Sequence, residues 1–248
     1  MRLRVGAATD TGRVRTLNED AYLVRADRGL FVVCDGMGGA PAGEVASQLA
    51  IDAIEHQFDR AVNGETVAAA SERTFLPQTG RLAEAVRRSN QCIYDRSGRD
   101  PRQAGMGTTV VGVWVGEHVA SVAHVGDSRA YLWHNDRLEP LTRDHSFLGS
   151  NVLVRVLGRE PEVDVELAEV PLHVGDYLLL CSDGLTRMVT EAEMSRAIVE
   201  QREPQRICDY LVDAANGKGG ADNITVVVVE MADLWWRRLV NNWLHTRA

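Results

Sequence analysis

Apolar residues near the start of the chain fall into short runs bounded by Gly and Asp, and runs of that length read as buried strands. Leu3–Ala7, Ala21–Val24 and Leu30–Cys34 are the first three. The glycine-rich stretch Gly36–Gly43 follows, and the period then changes. From Glu44 to Arg60 the apolar Val45, Leu49, Ala53 and Phe58 recur at roughly helical spacing, and Leu82, Val86 and Ile93 do the same between Leu82 and Tyr94. Between these helices, the polar, small-residue stretch Asn63–Gly80 predicts a loop. After Pro101 the pattern returns to strands at Met106–Val115, Val119–Val125 and Ala130–Trp133. Gly116-Glu117-His118 and Gly126-Asp127-Ser128 predict tight, hairpin-like connections between them. Val163–Val170, Tyr177–Cys181 and Ile224–Val229 add strands, with helices at Glu191–Gln201 and Pro204–Ala215 between the last two. Strands in runs and helices in pairs predict an α+β layered sandwich, not the regular alternation of a doubly wound parallel sheet.

A set of acidic residues sits where these runs break off. Asp35 follows Leu30–Cys34, Asp183 follows Tyr177–Ser182, and Asp222 precedes Ile224–Val229. Glu19 and Asp20 open Ala21–Val24, and Asp127 separates Val119–Val125 from Ala130–Trp133. Carboxylates at strand ends can converge on one edge of a sheet, where they repel one another and resist ionising unless hard cations neutralise them. That pattern predicts a metal-dependent hydrolase. An Asp-Gly pair after a strand is by itself a common turn. Asp35-Gly36 and Asp183-Gly184, however, each follow a run with a small Cys or Ser beside the carboxylate, and each leads into helix-like sequence instead of a returning strand. Gly36–Gly43 lacks the Gly-Lys-Ser/Thr ending of a nucleotide-binding loop and the glycine order of a dinucleotide fingerprint. Backbone packed closely around a metal site explains its glycines better, with the Gly36 carbonyl available as a hard oxygen ligand.

Composition narrows the setting. No linker-like stretch divides the 248 residues, so residues 1–232 are read as one domain, followed by a C-terminal tail over 233–248. A net charge of -8 argues against nonspecific nucleic-acid binding. Cys34, Cys92, Cys181 and Cys208 lack the close spacing of a zinc site and are expected to be buried free thiols. The first eight residues are too short and too charged for a signal peptide, and no stretch approaches the ~18 apolar residues of a transmembrane segment. Both observations fit a cytoplasmic protein.

The motifs Arg15-Thr-Leu-Asn-Glu-Asp20, Asp35-Gly-Met-Gly-Gly39, Gly107-Thr-Thr109, Val125-Gly-Asp-Ser-Arg129, Leu141-Thr-Arg-Asp-His-Ser146, Ser182-Asp-Gly-Leu185 and Asp222-Asn223 occur in one order along the chain. In that order they resemble the bacterial metal-dependent protein serine/threonine phosphatases of the type 2C (PPM) family, from Gly12 to Val229. The resemblance implies a four-layer αββα sandwich, two central antiparallel sheets flanked by helices, and a binuclear Mn²⁺ or Mg²⁺ centre. It also implies hydrolysis of phosphoserine and phosphothreonine in phosphorylated proteins, opposing a cognate serine/threonine kinase. Asp35 resembles the carboxylate that bridges two metals, Asp183 and Asp222 the rest of one ion's shell, and Glu19 with the Gly36 carbonyl the ligands of the second. Asp20 resembles a residue that holds metal-bound water, Asp127 a ligand of a third, weaker metal, and Arg15 the phosphate-binding arginine. A guanidinium suits that task because its planar fork can contact two phosphoryl oxygens.

Two departures and the tail bear on function. Animal-type members usually carry His two residues after the bridging Asp; Met37 stands there and cannot donate a proton, a substitution common in bacterial members. Many bacterial members also insert a flap between His145-Ser146 and Arg155-Val-Leu-Gly158, where only Phe147–Val154 intervenes. A shortened flap predicts good activity on small aryl phosphates and weak peptide-sequence preference. Asp144-His145-Ser146 cannot converge as a triad does and reads as architectural, while Ser128 and Arg129 read as fixing the turn that presents Asp127. The tail Leu234–Leu244, with tryptophans beside two arginines, reads as a terminal helix packed on the domain or as a docking helix. The competing functional class is a phosphothreonine-binding pseudophosphatase. The intact acidic residues at 19, 20, 35, 127, 183 and 222 argue against it.

Overall fold

The computed structural model describes residues 1–38, 42–62, 75–146 and 153–233. The elements run β1 (Arg2–Asp10), β2 (Asp20–Arg25), β3 (Leu30–Met37), α1 (Ala42–Val62), α2 (Pro77–Arg99), β4 (Gly107–Thr108), β5 (Val110–Val115), β6 (Val119–Val125), β7 (Arg129–His134) and β8 (Arg137–Pro140). They continue as β9 (Glu166–Pro171), β10 (Tyr177–Cys181), α3 (Asp183–Thr186), α4 (Glu191–Gln201), α5 (Pro204–Gly217) and β11 (Ile224–Ala232).

The unbroken apolar runs of β3, β10 and β11 follow from burial on both faces, since successive side chains point to opposite sides of a sheet. Phe31, Val33, Leu178, Leu180, Val227 and Val229 point inward and join Val111 and Val113 in a core between two sheets. Their neighbours Leu30, Val32 and Cys34 face the other way, onto Ala46, Ala50, Ile54, Leu82 and Val86 of α1 and α2. Leu179, Cys181, Val226 and Val228 face Ile198, Ile207, Leu211 and Ala215 of α4 and α5. Three cores therefore separate four layers, the αββα sandwich expected from the sequence. One sheet runs β1-β11-β10-β7-β8 and the other β2-β3-β5-β6-β9, with β4 paired to β3. The strand pairings are antiparallel throughout, as at Ala7↔Val227, Leu179↔Tyr131 and Val32↔Gly112.

Several expectations are corrected. Gly116-Glu117-His118 does join a β5–β6 hairpin, but Gly126-Asp127-Ser128 does not join one. Val125 pairs with Val110 in one sheet while Arg129 pairs with Cys181 in the other, so these three residues carry the chain between sheets. Gly126 makes the crossing possible: its φ is 113°, and a Cβ there would lie 2.7 Å from that of Thr109. The stretch Met106–Val115 is interrupted at Thr109, whose N–H and hydroxyl are tied to the backbone of Asp35. Of the loop expected over Asn63–Gly80, residues 63–74 lie outside the described residues, and its end is instead helical, because Pro77 starts α2 and Thr79 bonds Ser121 across the helix–sheet contact at 2.7 Å. The strand expected from Val163 starts at Glu166. Cys34, Cys181 and Cys208 are buried as expected, but Cys92 lies on the outer side of α2 and is exposed. Among the described residues no helix is long and apolar enough to cross a membrane. The Trp-rich tail beyond residue 233 and most of the short Phe147–Val154 connection lie outside the described residues.

Candidate active site

The strand ends meet at one edge of the sandwich. Asp20 at the start of β2 is the register partner of Asp35 near the end of β3. Asp183 opens α3 directly after β10, Asp222 stands two residues before β11, and Asp127 lies in the crossing between sheets. Arg15, Glu19, Asp35, Gly36, Asp127, Asp183 and Asp222 all line one cleft of about 980 Å³. Asp20 sits just beneath it, with its Oδ2 accepting from the hydroxyls of Ser182 and Thr225 at 2.7 Å each. Each acidic residue singled out from the sequence is thus brought to one place.

Close backbone packing explains the glycines. A Cβ on Gly36 would lie 2.1 Å from the Gly43 carbonyl oxygen, and one on Gly43 would lie 2.3 Å from Glu19 Oε1. Asn223 organises the opposite wall: its Oδ1 accepts from Glu19 N–H at 2.8 Å, and its Nδ2 donates to the carbonyls of Thr11 and Leu17. Asn223 thereby locks the Arg15–Glu19 segment against the start of β11.

Crowding shows in the electrostatics. Burial, then the charges of Asp20 and Asp183, hold the Asp35 carboxyl well above the usual carboxylate range. Burial, then Asp127, pushes Asp183 up to about 7, despite Arg187 alongside. Burial likewise raises Asp20 to about 6 against the hydroxyls that lower it, and raises Glu19 and Asp127 as well. Glu19 Oε1, Asp20 Oδ1 and Asp183 Oδ1 are buried without a hydrogen-bond partner. Buried carboxylate oxygens in that state are costly unless a cation takes them up. The set offers oxygen donors only, which suits Mg²⁺ or Mn²⁺ and disfavours zinc.

Two guanidiniums flank the carboxylates. Arg15 Nη2 donates to Asp222 Oδ2 at 2.9 Å. Arg187, not anticipated from the sequence, pairs with Asp183 and reaches Asp222 Oδ2 at 3.3 Å. Its signal was present: it stands four residues after Asp183, the spacing that puts two side chains on one helical face. The Asp127 turn is braced from both sides. Arg129 forks onto Asp144 with two bonds of 2.7 Å, and Ser128 bonds Thr109 at 2.7 Å. His124 Nε2 donates to the Gly126 carbonyl at 2.9 Å, while Gly126 N–H donates to His145 Nδ1 at 3.2 Å. Burial, then His145, lowers His124 to about 4, so that imidazole is neutral at pH 7. These contacts give Ser128, Arg129, Asp144 and His145 the structural role expected of them.

Oxygen donors gathered at the edge of an αββα sandwich, with arginines beside them, define a metal-dependent hydrolase. The model of the Protein phosphatase 2C family matches residues 10–211, and the chain belongs to that family. The serine/threonine phosphatase stp of Listeria innocua is 35% identical over 243 residues, covering 90% of this chain and 93% of the relative. The crystal structure of the Mycobacterium tuberculosis serine/threonine phosphatase PstP/Ppp superposes with a TM-score of 0.82 at 32% identity, covering 94% of this chain and 100% of that one. The catalytic domain of PstP, solved in complex with two manganese ions, gives a TM-score of 0.81 at 33% identity over 93% of this chain and 99% of that one.

Proposed function

We propose that this chain is a metal-dependent protein serine/threonine phosphatase that removes phosphate from phosphoserine and phosphothreonine in proteins. The observation that carries the reading is the cluster of buried, partnerless carboxylate oxygens facing a cleft that also holds Arg15. Asp35, Asp183 and Asp222 would hold one Mn²⁺ or Mg²⁺ ion, and Glu19, Asp35 and the Gly36 carbonyl a second. Asp127 would contribute to a third, weaker site. When bound, such ions supply Lewis-acid polarisation of the phosphoryl group and lower the pKa of water to a useful range.

The chain's own groups supply the rest. Arg15 is exposed at the cleft mouth, where its planar fork can grip two phosphoryl oxygens and orient the ester. Asp20 is fixed by Ser182 and Thr225 through one oxygen, which leaves the other to orient water or take up a proton. Met37 lines the cleft where animal-type relatives have His, so proton delivery to the leaving oxygen falls to solvent or to another acid. A phosphoryl group consumed by hydrolysis must be installed by a transferase, so the proposed partner is a serine/threonine kinase and the proposed setting is the cytoplasm.

The test is phosphate release from a phosphothreonine protein, titrated with Mn²⁺ and Mg²⁺, with EDTA and Asp183→Asn as controls. Metal-dependent turnover lost in both controls supports the reading. Tight binding of the phosphoprotein without turnover in either metal would replace it with a phosphothreonine-binding protein.

A further inference from the structure

A second cluster of metal-type ligands lies far from the carboxylate centre. His134 ends β7 and Asp176 directly precedes β10, with His173 three residues earlier in the turn that leaves β9. Their donor atoms all lie within 4.8 Å of one another. His134 Nδ1 approaches Asp176 Oδ1 at 2.7 Å, and His173 Nδ1 approaches Asp176 Oδ2 at 3.6 Å. The two imidazoles lie side by side, with centroids 5.1 Å apart. The cluster stands at the opposite end of its sheet from the active site. β7 runs from the Asp127 turn to His134, and β10 runs from Asp176 towards Asp183, which at ~3.3 Å per residue separates the two by roughly 20 Å.

The geometry points to a binding site for a borderline transition-metal ion, Zn²⁺ above all, with His134, His173 and Asp176 as protein ligands and water in the remaining position. Mixed imidazole and carboxylate donors select zinc over Mg²⁺ or Mn²⁺, the reverse of the oxygen-only set at the active site. Asp176 is 3% exposed, and its carboxylate has the two imidazoles as its side-chain partners. His173 N–H donates to Asp176 Oδ2 at 2.8 Å, which orients that carboxylate. His173 itself is exposed, so an ion has a path in.

The donors are placed by backbone. His134 precedes Asn135-Asp136, both at positive φ (49° and 61°), the signature of a tight two-residue hairpin turn. Asp176 N–H closes its own turn onto the His173 carbonyl at 3.1 Å, and Met231 N–H donates to the Asp176 carbonyl at 2.8 Å. Both turns are thus held before any ion arrives. A bound ion would clamp the β7–β8 hairpin to the β9–β10 turn, adding stability in proportion to its occupancy.

The test is calorimetric titration of Zn²⁺ into the full chain with excess Mg²⁺ present to occupy the oxygen donors, beside His173→Ala and His134→Ala. His173→Ala removes an exposed side chain and is expected to fold normally, which circular dichroism checks. A zinc site of the wild type that is lost, or weakened at least about tenfold, in either variant is the expected result. Zinc should also raise the Tm of the wild type and not that of His173→Ala. Identical isotherms for wild type and variants, or no zinc binding by the wild type, would overturn the site, and neither outcome depends on phosphatase activity.

Discussion

At the scale of single residues, one methyl group separates metal binding from folding. On Gly43 it would strike Glu19 Oε1, the far end of a side chain that can swing away. On Gly184 it would lie 2.0 Å from the backbone oxygen of Asn223, which cannot. Gly43→Ala should therefore weaken Mn²⁺ binding by about tenfold with little change in Tm, because a displaced ligand costs affinity first. Gly184→Ala should destabilise the fold by about 3 kcal/mol, read by urea unfolding, as overpacking against fixed backbone does. Equal Tm losses in the two variants would contradict the distinction. Arg15→Ala should lower kcat/KM by about a hundredfold at saturating Mn²⁺, since the guanidinium acts on phosphate charge. The acidic members of this centre were legible in the sequence because each interrupts an apolar run. The roles of Asn223 and Arg187 were less so: Asn223 stands in the Asp222-Asn223 motif and Arg187 four residues after Asp183, but both residue types have ordinary surface roles until the fold sets them beside Glu19 and Asp183.

At the scale of elements, pattern located most strands and helices, and tertiary context decided where they ended. Tyr177–Cys181 and Glu191–Gln201 fall where periodicity puts them, the latter because Thr190 and Glu193 close a capping box. Thr190→Ala should cost ~1 kcal/mol in thermal or urea unfolding without altering metal affinity. The crossing at Gly126-Asp127-Ser128 could not be told from a hairpin, because both use a glycine turn between two short strands; which sheet receives the second strand is settled by long-range packing. That difference matters to function, since a hairpin would have left Asp127 in one sheet while the crossing carries it into the cleft. His134 and His173 carry no sequence signal for a similar reason, being far apart in sequence and brought together by β7 and β10 lying side by side. The wall of the cleft from Leu153 to Asp164 begins where Leu153 bridges back to Ser146. With so short a connection beside the centre, small aryl phosphates should be cleaved readily, and a panel of phosphothreonine peptides should show similar kcat/KM values. A strong preference for one peptide would assign selection to that wall.

At the scale of the whole molecule, the two sheets are held by one inner core, yet their edges meet in a crowd of negative charge that opposes the same closure. Burial raises Asp20 to about 6 and Asp183 to about 7, above their ordinary range near 4, and holds Asp35 well above that range. A raised carboxylate binds protons more readily folded than unfolded. Its stabilising contribution is full below pH ~4 and is lost as pH rises through the folded values. EDTA-stripped protein should therefore lose Tm between about pH 4 and pH 7 from these groups. Saturating Mn²⁺ should reverse that slope, because an ion favours the deprotonated ligands and its affinity grows with pH. Calorimetric scans across that range, with and without metal, check both signs. Asp183→Asn supplies the internal control: with one of the crowded charges gone, the stripped protein should be more stable at pH 7 than the stripped wild type, and Mn²⁺ should stabilise it less. If the stripped wild type instead gains Tm towards pH 7, the cluster is not the source of strain that its burial implies, and the cleft does not depend on cations to hold its shape.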